Sequence, residues 1–378
     1  MKFKKIELDY KNLPKTLMVN LDDDFRKQLF SDLKSRFENI KELCKYLRCS
    51  VSSLKYYNRG EYFIPTAIFQ RAISICKFKD EKVNSSILQA KKRLCGKPIN
   101  VKLPINSSTE LSALIGHTMG DGHISSGGRF VYVNKEILLI EKVKNLVNRV
   151  FRSKVYFDQR PKKDGSISLH YPSAIGEMLF VLGSIKGNKT YQDWAIPSWI
   201  EYGSSKIKSA FLRAIFDDEG SVSKTRLSLN MSKIETKKDS LIKLLDSFKR
   251  LLHDLGIKSS KTGVGYRRTS KKGIKTTNFV FVICEYYNMK KFYENVGFTH
   301  NKKSKRLKEL LDSYIRPIGK TRKDILDLLK NKTLSTHEIR VSLNKSKKCI
   351  QYNLWILEDR GEIERIRINK IKHLWKKK

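Results

Sequence analysis

Two helical segments of this chain repeat one pattern at an offset of 98 residues. In each segment apolar residues recur at helical spacing, and small residues form a stripe four residues apart on a neighbouring face. The small residues are Ser112, Gly116 and Gly120 in the first segment, and Ala210 and Ala214 in the second. A stripe of small residues lets two helix backbones approach closely. The pattern therefore predicts that these two helices pack against each other.

Each segment ends in a carboxylate followed by glycine, Asp121-Gly122 in the first and Glu219-Gly220 in the second. Close packing of the helices would bring Asp121 and Glu219 together. A carboxylate at a helix C-terminus is unfavourable because the helix dipole is negative there, and a second acid adds repulsion. A divalent cation that prefers oxygen ligands, Mg²⁺ (or Mn²⁺), would compensate for both effects. Both residues are therefore predicted metal ligands and catalytic groups.

An isolated Asp-Gly pair is more simply interpreted as a turn. Here the two copies share the small-residue stripe as well as the acid, which favours a functional site. The sequence resembles the LAGLIDADG homing endonucleases of the two-motif, single-chain kind, especially the archaeal and intein-associated branch. Leu114 to Gly122 fits the first motif, and Leu212 to Gly220 fits the second closely, with Glu219 where Asp is commoner. The resemblance covers about Ser107 to Tyr314.

The resemblance implies an α+β fold in which the order α-β-β-α-β-β-α occurs twice with pseudo-twofold symmetry. Each half would supply an antiparallel sheet, and the two sheets would form a saddle over the major groove of DNA. We assign the halves to residues 101–205 and 206–316, with flanking domains at 1–100 and 317–378.

Within the halves, the residue pattern predicts the main strands and helices. In the first half, strands are expected at Val155 to Phe157 and Ser166 to His170, followed by a helix capped by Ser173. In the second half, strands are expected at Ile257 to Tyr266 and Thr276 to Ile283.

The N-terminal 100 residues are predicted to be all-α. Two short helices separated by a tight turn resemble a helix-turn-helix of the phage-repressor type, in which Lys55 and Tyr56 would contact DNA. The alternative is a small helical bundle with the same apolar spacing. Lys91-Lys92-Arg93 is interpreted as part of a basic linker into the central region.

Residues 317–378 resemble a winged helix, with three predicted helices and a terminal hairpin that turns at Asn369-Lys370. Lys347, Lys348 and Gln351 would lie at the front of its recognition helix. The alternative is a dimerisation module of the same fold, and the density of lysine and arginine favours DNA binding.

Two lysines match between the halves, because Lys189 follows Gly183 by six residues and Lys303 follows Gly297 by six. A cation at this place in each half would lie near the scissile phosphate, whereas the alternative is an ordinary solvated lysine. Further contacts to bases or phosphates are expected from residues on the predicted strands or their loops, namely Gln159, Arg160, Lys162, Lys261, Arg267 and Arg268.

The composition indicates a polyanionic partner, since the chain has 78 lysine and arginine residues, 38 aspartate and glutamate residues and a formal net charge of +40. No apolar run approaches the roughly 20 residues that a membrane span needs. The first residues lack the apolar segment of a signal peptide. Six cysteines without a CxxC pair suit a reducing cytosol and argue against zinc. Double-stranded DNA is the expected partner, and a cytoplasmic, nucleoid-associated location follows from it.

We therefore expect a site-specific DNA endonuclease that hydrolyses phosphodiester bonds with divalent metal and acts as a monomer. One alternative is a relative that kept the fold but became a transcription regulator without nuclease activity. Another is an RNA-splicing maturase, with intron RNA as its partner. An intein is not expected, because the sequence lacks a terminal nucleophile and the His-Asn ending that protein splicing uses.

Overall fold

The computed structural model describes residues 6–93, 96–269, 273–314, 319–368 and 373–378. The chain divides into two compact units, Met1–Lys308 and Glu309–Lys378, which are described separately below. The predicted domain boundary at residues 316 and 317 and the predicted turn at Asn369-Lys370 lie outside the described residues. None of the helices in the described ranges is both long and apolar enough to cross a membrane.

The N-terminal region combines helices with a small antiparallel sheet. Its elements are β1 (Glu7–Leu8), β2 (Leu17–Leu21), α1 (Asp23–Ser35), α2 (Ile40–Leu47), α3 (Val51–Arg59), β3 (Ile64–Pro65), α4 (Thr66–Ile75), α5 (Asp80–Ser86), β4 (Ile87–Lys92), β5 (Ile99–Asn100) and β6 (Ile105–Asn106). The sheet has the order β3-β2-β4-β5, and β1 pairs with β6.

The all-α prediction for this region is therefore wrong, and so is the interpretation of Lys91-Lys92-Arg93 as a linker. Lys91 and Lys92 belong to β4, which pairs with β2 in the register Leu17↔Lys92. The strand partners lie some seventy residues apart in the chain, and each strand is short. Local periodicity cannot reveal such a pairing, because the lysines at the end of β4 interrupt the apolar pattern expected of a strand.

Helices α2 and α3 form the predicted pair of short helices. Asn39 and Ser50 cap their N-termini, and Arg48 between them adopts the left-handed conformation at φ 56°. The apolar face of α3 is buried through Leu54 and Tyr57. Its opposite face, with Lys55 and Tyr56, is exposed.

The first half of the core contains α6 (Thr109–Met119), β7 (Gly122–Ile124), β8 (Phe130–Asn134), α7 (Ile137–Phe151), β9 (Asp158–Pro161), β10 (Ile167–His170) and α8 (Ser173–Val181). After α9 (Ser198–Glu201), the second half contains α10 (Ser205–Glu219), β11 (Gly220–Val222), β12 (Leu227–Ile234), α11 (Lys238–Asp254), β13 (Gly263–Thr269), β14 (Lys275–Ile283) and α12 (Tyr286–Asn295). The sheet orders are β7-β8-β10-β9 and β11-β12-β14-β13. The order of elements is thus α-β-β-α-β-β-α in both halves.

Three boundaries within the halves differ from prediction. The strand expected at Val155 to Phe157 lies at β9 instead, and the one expected at Ile257 to Tyr266 starts later, at β13. Both are exposed edge strands, so no alternation of buried residues marks where they begin. Ser173 is the first residue of α8 rather than its cap, and Pro172 occupies the N-cap position.

Helices α6 and α10 pack closely through their small residues. A Cβ atom added to Gly116 would lie 2.7 Å from the Cβ atom of Ala214 and 2.9 Å from the carbonyl oxygen of Phe211. Ser112 donates a hydrogen bond of 2.7 Å to the carbonyl oxygen of Ile207. The stripe of small residues therefore lies in the helix contact, as predicted.

The second unit begins at Glu309, within α13 (Asn301–Asp312). It contains α14 (Lys320–Leu329), β15 (Leu334–Ser335), α15 (Thr336–Leu343), α16 (Lys347–Asp359), β16 (Ile363–Arg367) and β17 (His373–Lys377). Its core is built from Ile325, Leu329, Ile339, Ile350, Leu354, Leu357, Ile363 and Trp375. Ser335 and Glu338 form the predicted capping box of α15.

Candidate active site

The two predicted carboxylates stand at the ends of the packed helices. Asp121 lies just beyond α6, and Glu219 is the last residue of α10. The two ends are in direct contact, because the backbone N–H of Asp121 donates a 3.1 Å hydrogen bond to the carboxylate of Asp218. Gly120 is required at this contact, since an added Cβ atom would lie 2.6 Å from the Cβ atom of Asp218.

The pKa values of Asp121 and Glu219 are both raised. Burial raises the pKa of Asp121 to about 8, and the charges of Asp218 and Glu219 add to the shift. Asp121 as a whole residue is exposed, but its carboxylate is surrounded by other protein groups. Burial also raises the pKa of Glu219, and the charge of Asp218 acts in the same direction. The site therefore concentrates negative charge that a cation would relieve.

Lys189 and Lys303 lie at the ends of the two motif helices. The ammonium of Lys189 donates to carbonyl oxygens at the end of α6, with 2.8 Å to Met119 and 2.8 Å to Gly122. The ammonium of Lys303 donates to the carbonyl oxygen of Phe216 at 3.1 Å, near the end of α10. Both lysines stabilise helix C-termini, where backbone carbonyls lack helical partners.

Burial lowers the pKa of both lysines, while the neighbouring carboxylates oppose the shift. For Lys189 the opposing acids are Glu219, Asp121 and Asp218, and for Lys303 they are Asp217, Asp218, Asp121 and Glu219. The two lysines thus share one electrostatic environment with Asp121 and Glu219.

Asp218 is a central residue that the sequence did not single out. Its side chain is fully buried and lies 3.1 Å from Nδ1 of His117. The hydroxyl of Tyr132 donates to it at 2.8 Å. Asn134 donates through Nδ2 to the hydroxyl of Tyr132 at 3.2 Å and to the Asp121 carboxylate at 2.8 Å. These contacts join α6 and the residues just beyond it with β8 and α10, and no local sequence signal predicts them.

Asp217 is also buried and has partners of its own. Its carboxylate accepts the backbone N–H groups of Thr299 and His300 at 2.8 and 3.0 Å. The ammonium of Lys142 lies 3.5 Å from it. Of the three consecutive acids that end α10, Asp217 and Asp218 therefore form contacts inside the protein. Glu219 is left to bind a ligand at the candidate site.

Comparison with known proteins finds a family match in the second half. The model of the LAGLIDADG-like domain matches residues 206–297, which include all but the first residue of α10 and the whole second sheet. These residues therefore match a LAGLIDADG-like domain, and the match confirms the resemblance noted for the second motif.

The curated relatives of this chain are much longer proteins. It is 27% identical over 283 residues to the DNA-directed RNA polymerase subunit Rpo1N of Methanocaldococcus jannaschii, covering 66% of this chain and 19% of the relative. It is 24% identical over 235 residues to the replication factor C small subunit of the same organism, covering 56% of this chain and 12% of the relative. A third relative is the tRNA-splicing ligase RtcB of Methanopyrus kandleri, 23% identical over 216 residues that cover 52% of this chain and 21% of the relative. The chain thus spans about a fifth or less of the length of each relative. The names of the three relatives describe different proteins.

Solved structures of homing endonucleases are similar to part of the chain. I-DmoI in complex with DNA and Ca covers 50% of this chain and 89% of its own, at 18% identity and a TM-score of 0.33. I-WcaI bound to its DNA recognition sequence covers 52% of this chain and 86% of its own, at 15% identity and a TM-score of 0.33. At these TM-scores the likeness does not by itself establish a shared fold.

The carboxylate oxygens at this candidate site are suited to a hard divalent cation. Asp121 and Glu219 offer carboxylate oxygens, and the described residues contain no group of three or more His, Cys, Asp or Glu side chains that could hold a metal ion. The five cysteines within the described ranges are free. A two-carboxylate site fits an ion such as Mg²⁺, which keeps several waters and binds protein through one or two carboxylates.

Strand register decides which face each predicted DNA contact occupies. Arg160 is opposite Ser168, and Gln159 is opposite Leu169, which is fully buried against the helices. Opposite residues in an antiparallel pair share a face. Arg160 therefore lies on the face turned away from the helices, whereas Gln159 lies on the helix side of an exposed edge strand.

The second sheet repeats this division. Arg268 is opposite Thr276, and Arg267 is opposite Thr277, which in turn pairs with the buried Lys233. Arg268 is therefore on the open face and Arg267 on the helix side. The remaining predicted contacts, Lys162 and Lys261, lie in the loops that follow β9 and precede β13.

Proposed function

We propose that this protein is a site-specific DNA endonuclease that hydrolyses phosphodiester bonds with a divalent metal ion. The observation that carries the proposal is the position of Asp121 and Glu219 at the adjoining ends of two tightly packed helices, with a lysine at each helix end. The high charge of the chain supports a polyanionic substrate. The LAGLIDADG-like domain supports the same conclusion.

In this proposal Asp121 and Glu219 hold the ion, and one carboxylate from each half serves one DNA strand. When bound, the ion would activate water and stabilise the attacking and leaving oxygens of the phosphodiester. Lys189 and Lys303 keep the helix ends in place and add positive charge beside the two acids. That charge favours the approach of a phosphate and the negative charge that develops on it.

The open faces of the two sheets are the proposed DNA surface. Arg160 and Arg268 point from these faces and are suited to base edges or phosphates. Gln159, Lys162, Lys261 and Arg267 lie at the edges and loops, where contact with the phosphate backbone is the natural role. Antiparallel strands with one exposed face provide a surface that matches the major groove.

The outer elements are proposed to lengthen the DNA contact. Helices α2 and α3 would act as a helix-turn-helix through Lys55 and Tyr56. The second unit would act as a winged helix through Lys347, Lys348 and Gln351, all of which are exposed on α16. With both acids in one chain the enzyme would act as a monomer, and DNA as substrate would place it at the nucleoid.

The proposal is tested by selecting cleaved sites from a randomised pool of duplex DNA. The full chain is incubated with the pool and Mg²⁺, and a parallel sample contains EDTA. We expect Mg²⁺-dependent double-strand breaks at one long, defined site. Specific binding without any cutting would instead identify a regulator, and binding only to folded intron RNA would identify a maturase.

A further inference from the structure

Asp121 and Glu219 occupy matching places, but the groups around them do not match. Asn134 donates through Nδ2 to the Asp121 carboxylate at 2.8 Å and also to the Tyr132 hydroxyl. Tyr132 in turn donates to Asp218, which also accepts the backbone N–H of Asp121 and contacts His117. The Asp121 carboxylate is thus held by a chain of hydrogen bonds that reaches into the helix contact.

Strand pairing identifies the matching residues of the second half. Gly122 pairs with Tyr132 in the first sheet, and Gly220 pairs with Leu229 in the second. Leu229 therefore stands where Tyr132 does, and two residues further on Met231 stands where Asn134 does.

The helices give the same result. At the offset of 98 residues, Ile215 matches His117 and Gly120 matches Asp218. All four polar groups of the Asp121 network thus have an apolar residue or glycine in the matching place. Within the described residues, the Glu219 carboxylate accepts no hydrogen bond and forms no ion pair. Met231 instead lines a cavity of about 150 Å³ beside Glu219, together with Met119 and Trp194.

This difference matters for catalysis because a carboxylate must be oriented before it can position an ion or a water. A hydrogen bond from Asn134 restricts the Asp121 side chain, which has only two rotatable bonds. Glu219 has one more rotatable bond and no donor to fix it, so more conformational entropy must be lost when it engages. The Asp121 side of the site is preorganised, and the Glu219 side is not.

We propose that the two DNA strands are cut unequally, with Asn134 and Tyr132 as positioning residues that favour the strand served by Asp121. This inference rests on the proposed endonuclease function. It predicts that a nicked duplex, always cut in the same strand, accumulates before the double-strand break.

The test uses a duplex recovered from the selection above, with a different fluorophore on each strand, and the full-length protein. Asn134→Leu removes the donor to Asp121, and Tyr132→Phe removes only the hydroxyl while the buried ring stays. We expect each variant to slow cutting of the strand cut first by about tenfold, the scale of one hydrogen bond to a charged group. Cutting of the other strand should change by less than about twofold, so the nick preference of the wild type is lost or reversed.

Tyr171→Phe is the matched control. Tyr171 is a buried tyrosine of the same half, stacked on Phe130, and its hydroxyl has no hydrogen-bond partner within the described residues. This variant should cut both strands like the wild type. Melting temperatures of all three variants show whether each one is folded.

A second measurement does not depend on cutting. Mn²⁺ binding to the free protein is followed by electron paramagnetic resonance, and Asn134→Leu should weaken it in the same direction as Asp121→Asn, while Tyr171→Phe should not. Equal slowing of both strands, or Mn²⁺ binding by Asn134→Leu equal to that of the wild type, would overturn the inference. Failure of the wild type to cut any DNA would instead overturn the proposed function on which it rests.

Discussion

The acidic centre of this protein and its exposed basic residues differ in the surroundings of their charges. At the centre, Asp121, Asp217, Asp218 and Glu219 gather at the ends of α6 and α10, although the chain as a whole carries a formal net charge of +40. Outside this centre, Arg160 and Arg268 lie on exposed edge strands of the two sheets, and Lys55 and Lys348 lie on exposed helix faces.

The charged residues at the centre are few and each one matters, whereas the exposed basic residues are many and each one contributes little. Asp121, Asp217 and Asp218 each accept hydrogen bonds from neighbouring groups, so replacing one of them leaves a donor without its partner. An exposed cation is already solvated, and its individual contribution to stability is small. Many such cations together set the attraction to DNA. The following predictions test this division, beginning with the largest effect.

Replacement of a central acid should have the greatest effect. Asp121→Asn keeps the size of the side chain but removes the charge needed to bind a cation. We expect Mg²⁺-dependent cleavage to fall by at least about a hundredfold, on the scale of losing one key electrostatic group, while DNA binding is kept. Asp24→Asn, which changes an exposed acid in the first turn of α1, should cleave normally. Unchanged cleavage by Asp121→Asn would remove Asp121 from the site.

The helix contact that supports the centre should be the next most sensitive. Gly116→Ala places a Cβ atom within 2.9 Å of the backbone oxygen of Phe211, so the helices must separate. We expect the free energy of unfolding to fall by about 2 kcal/mol, measured by urea denaturation. Gly127→Ala is the control, because its Cβ atom would have Ser125 Oγ, at 3.7 Å, as its nearest neighbour. Equal stability of the two variants would mean that the contact is looser than described.

A buried acid away from the centre should have a smaller effect. Glu177 is 3% exposed and lies 3.0 Å from the ammonium of Lys92 and 2.8 Å from that of Lys186. Burial opposes ionisation of Glu177, but the two lysines outweigh it and hold its pKa below the ordinary value. Because both lysines remain partly solvated, Glu177→Gln should lower the free energy of unfolding by only about 1 kcal/mol at pH 7.

The pH dependence of that difference follows from the lowered pKa. Ionised Glu177 stabilises the folded state fully above the ordinary glutamate pKa of 4.5. The contribution is lost as the pH falls through the lower pKa of the folded state, where a protonated glutamate resembles glutamine. Wild type and Glu177→Gln should therefore converge in stability under acid conditions, as measured by denaturation across pH 3 to 7. A constant difference at every pH would show that packing rather than charge is responsible.

An exposed cation of the second unit should have the smallest effect. Lys348→Ala should weaken DNA binding by less than about tenfold and reduce the slope of log affinity against log salt by about 1. Lys332→Ala, an exposed lysine outside α16, should leave both quantities closer to those of the wild type. Fluorescence anisotropy at several salt concentrations measures both variants. Equal effects would show that α16 makes no special contact with DNA.

Much of the core was predictable because its signals are local and repeated. The motif helices, the order of elements in the two halves and the contact of Gly116 with Ala214 all follow from apolar periodicity and a stripe of small residues. The position of Asp121 and Glu219 at the adjoining ends of these helices follows from the same offset. Prediction failed for the N-terminal sheet and for the starts of β9 and β13, where strands are short or exposed and their partners are distant.

The sequence alone determined that two helices with small residues must meet and bring two acids to one end, because the spacing of residues along a helix fixes which of them share a face. Only the tertiary structure decided which acids remain available. Asp217 contacts Lys142 inside the protein, and Asp218 contacts His117 and Tyr132. Asn134 donates a hydrogen bond to Asp121, and no matching donor contacts Glu219 within the described residues. These partners come from elements far apart in the chain, and hydrogen bonds between them depend on packing distances that no local pattern encodes.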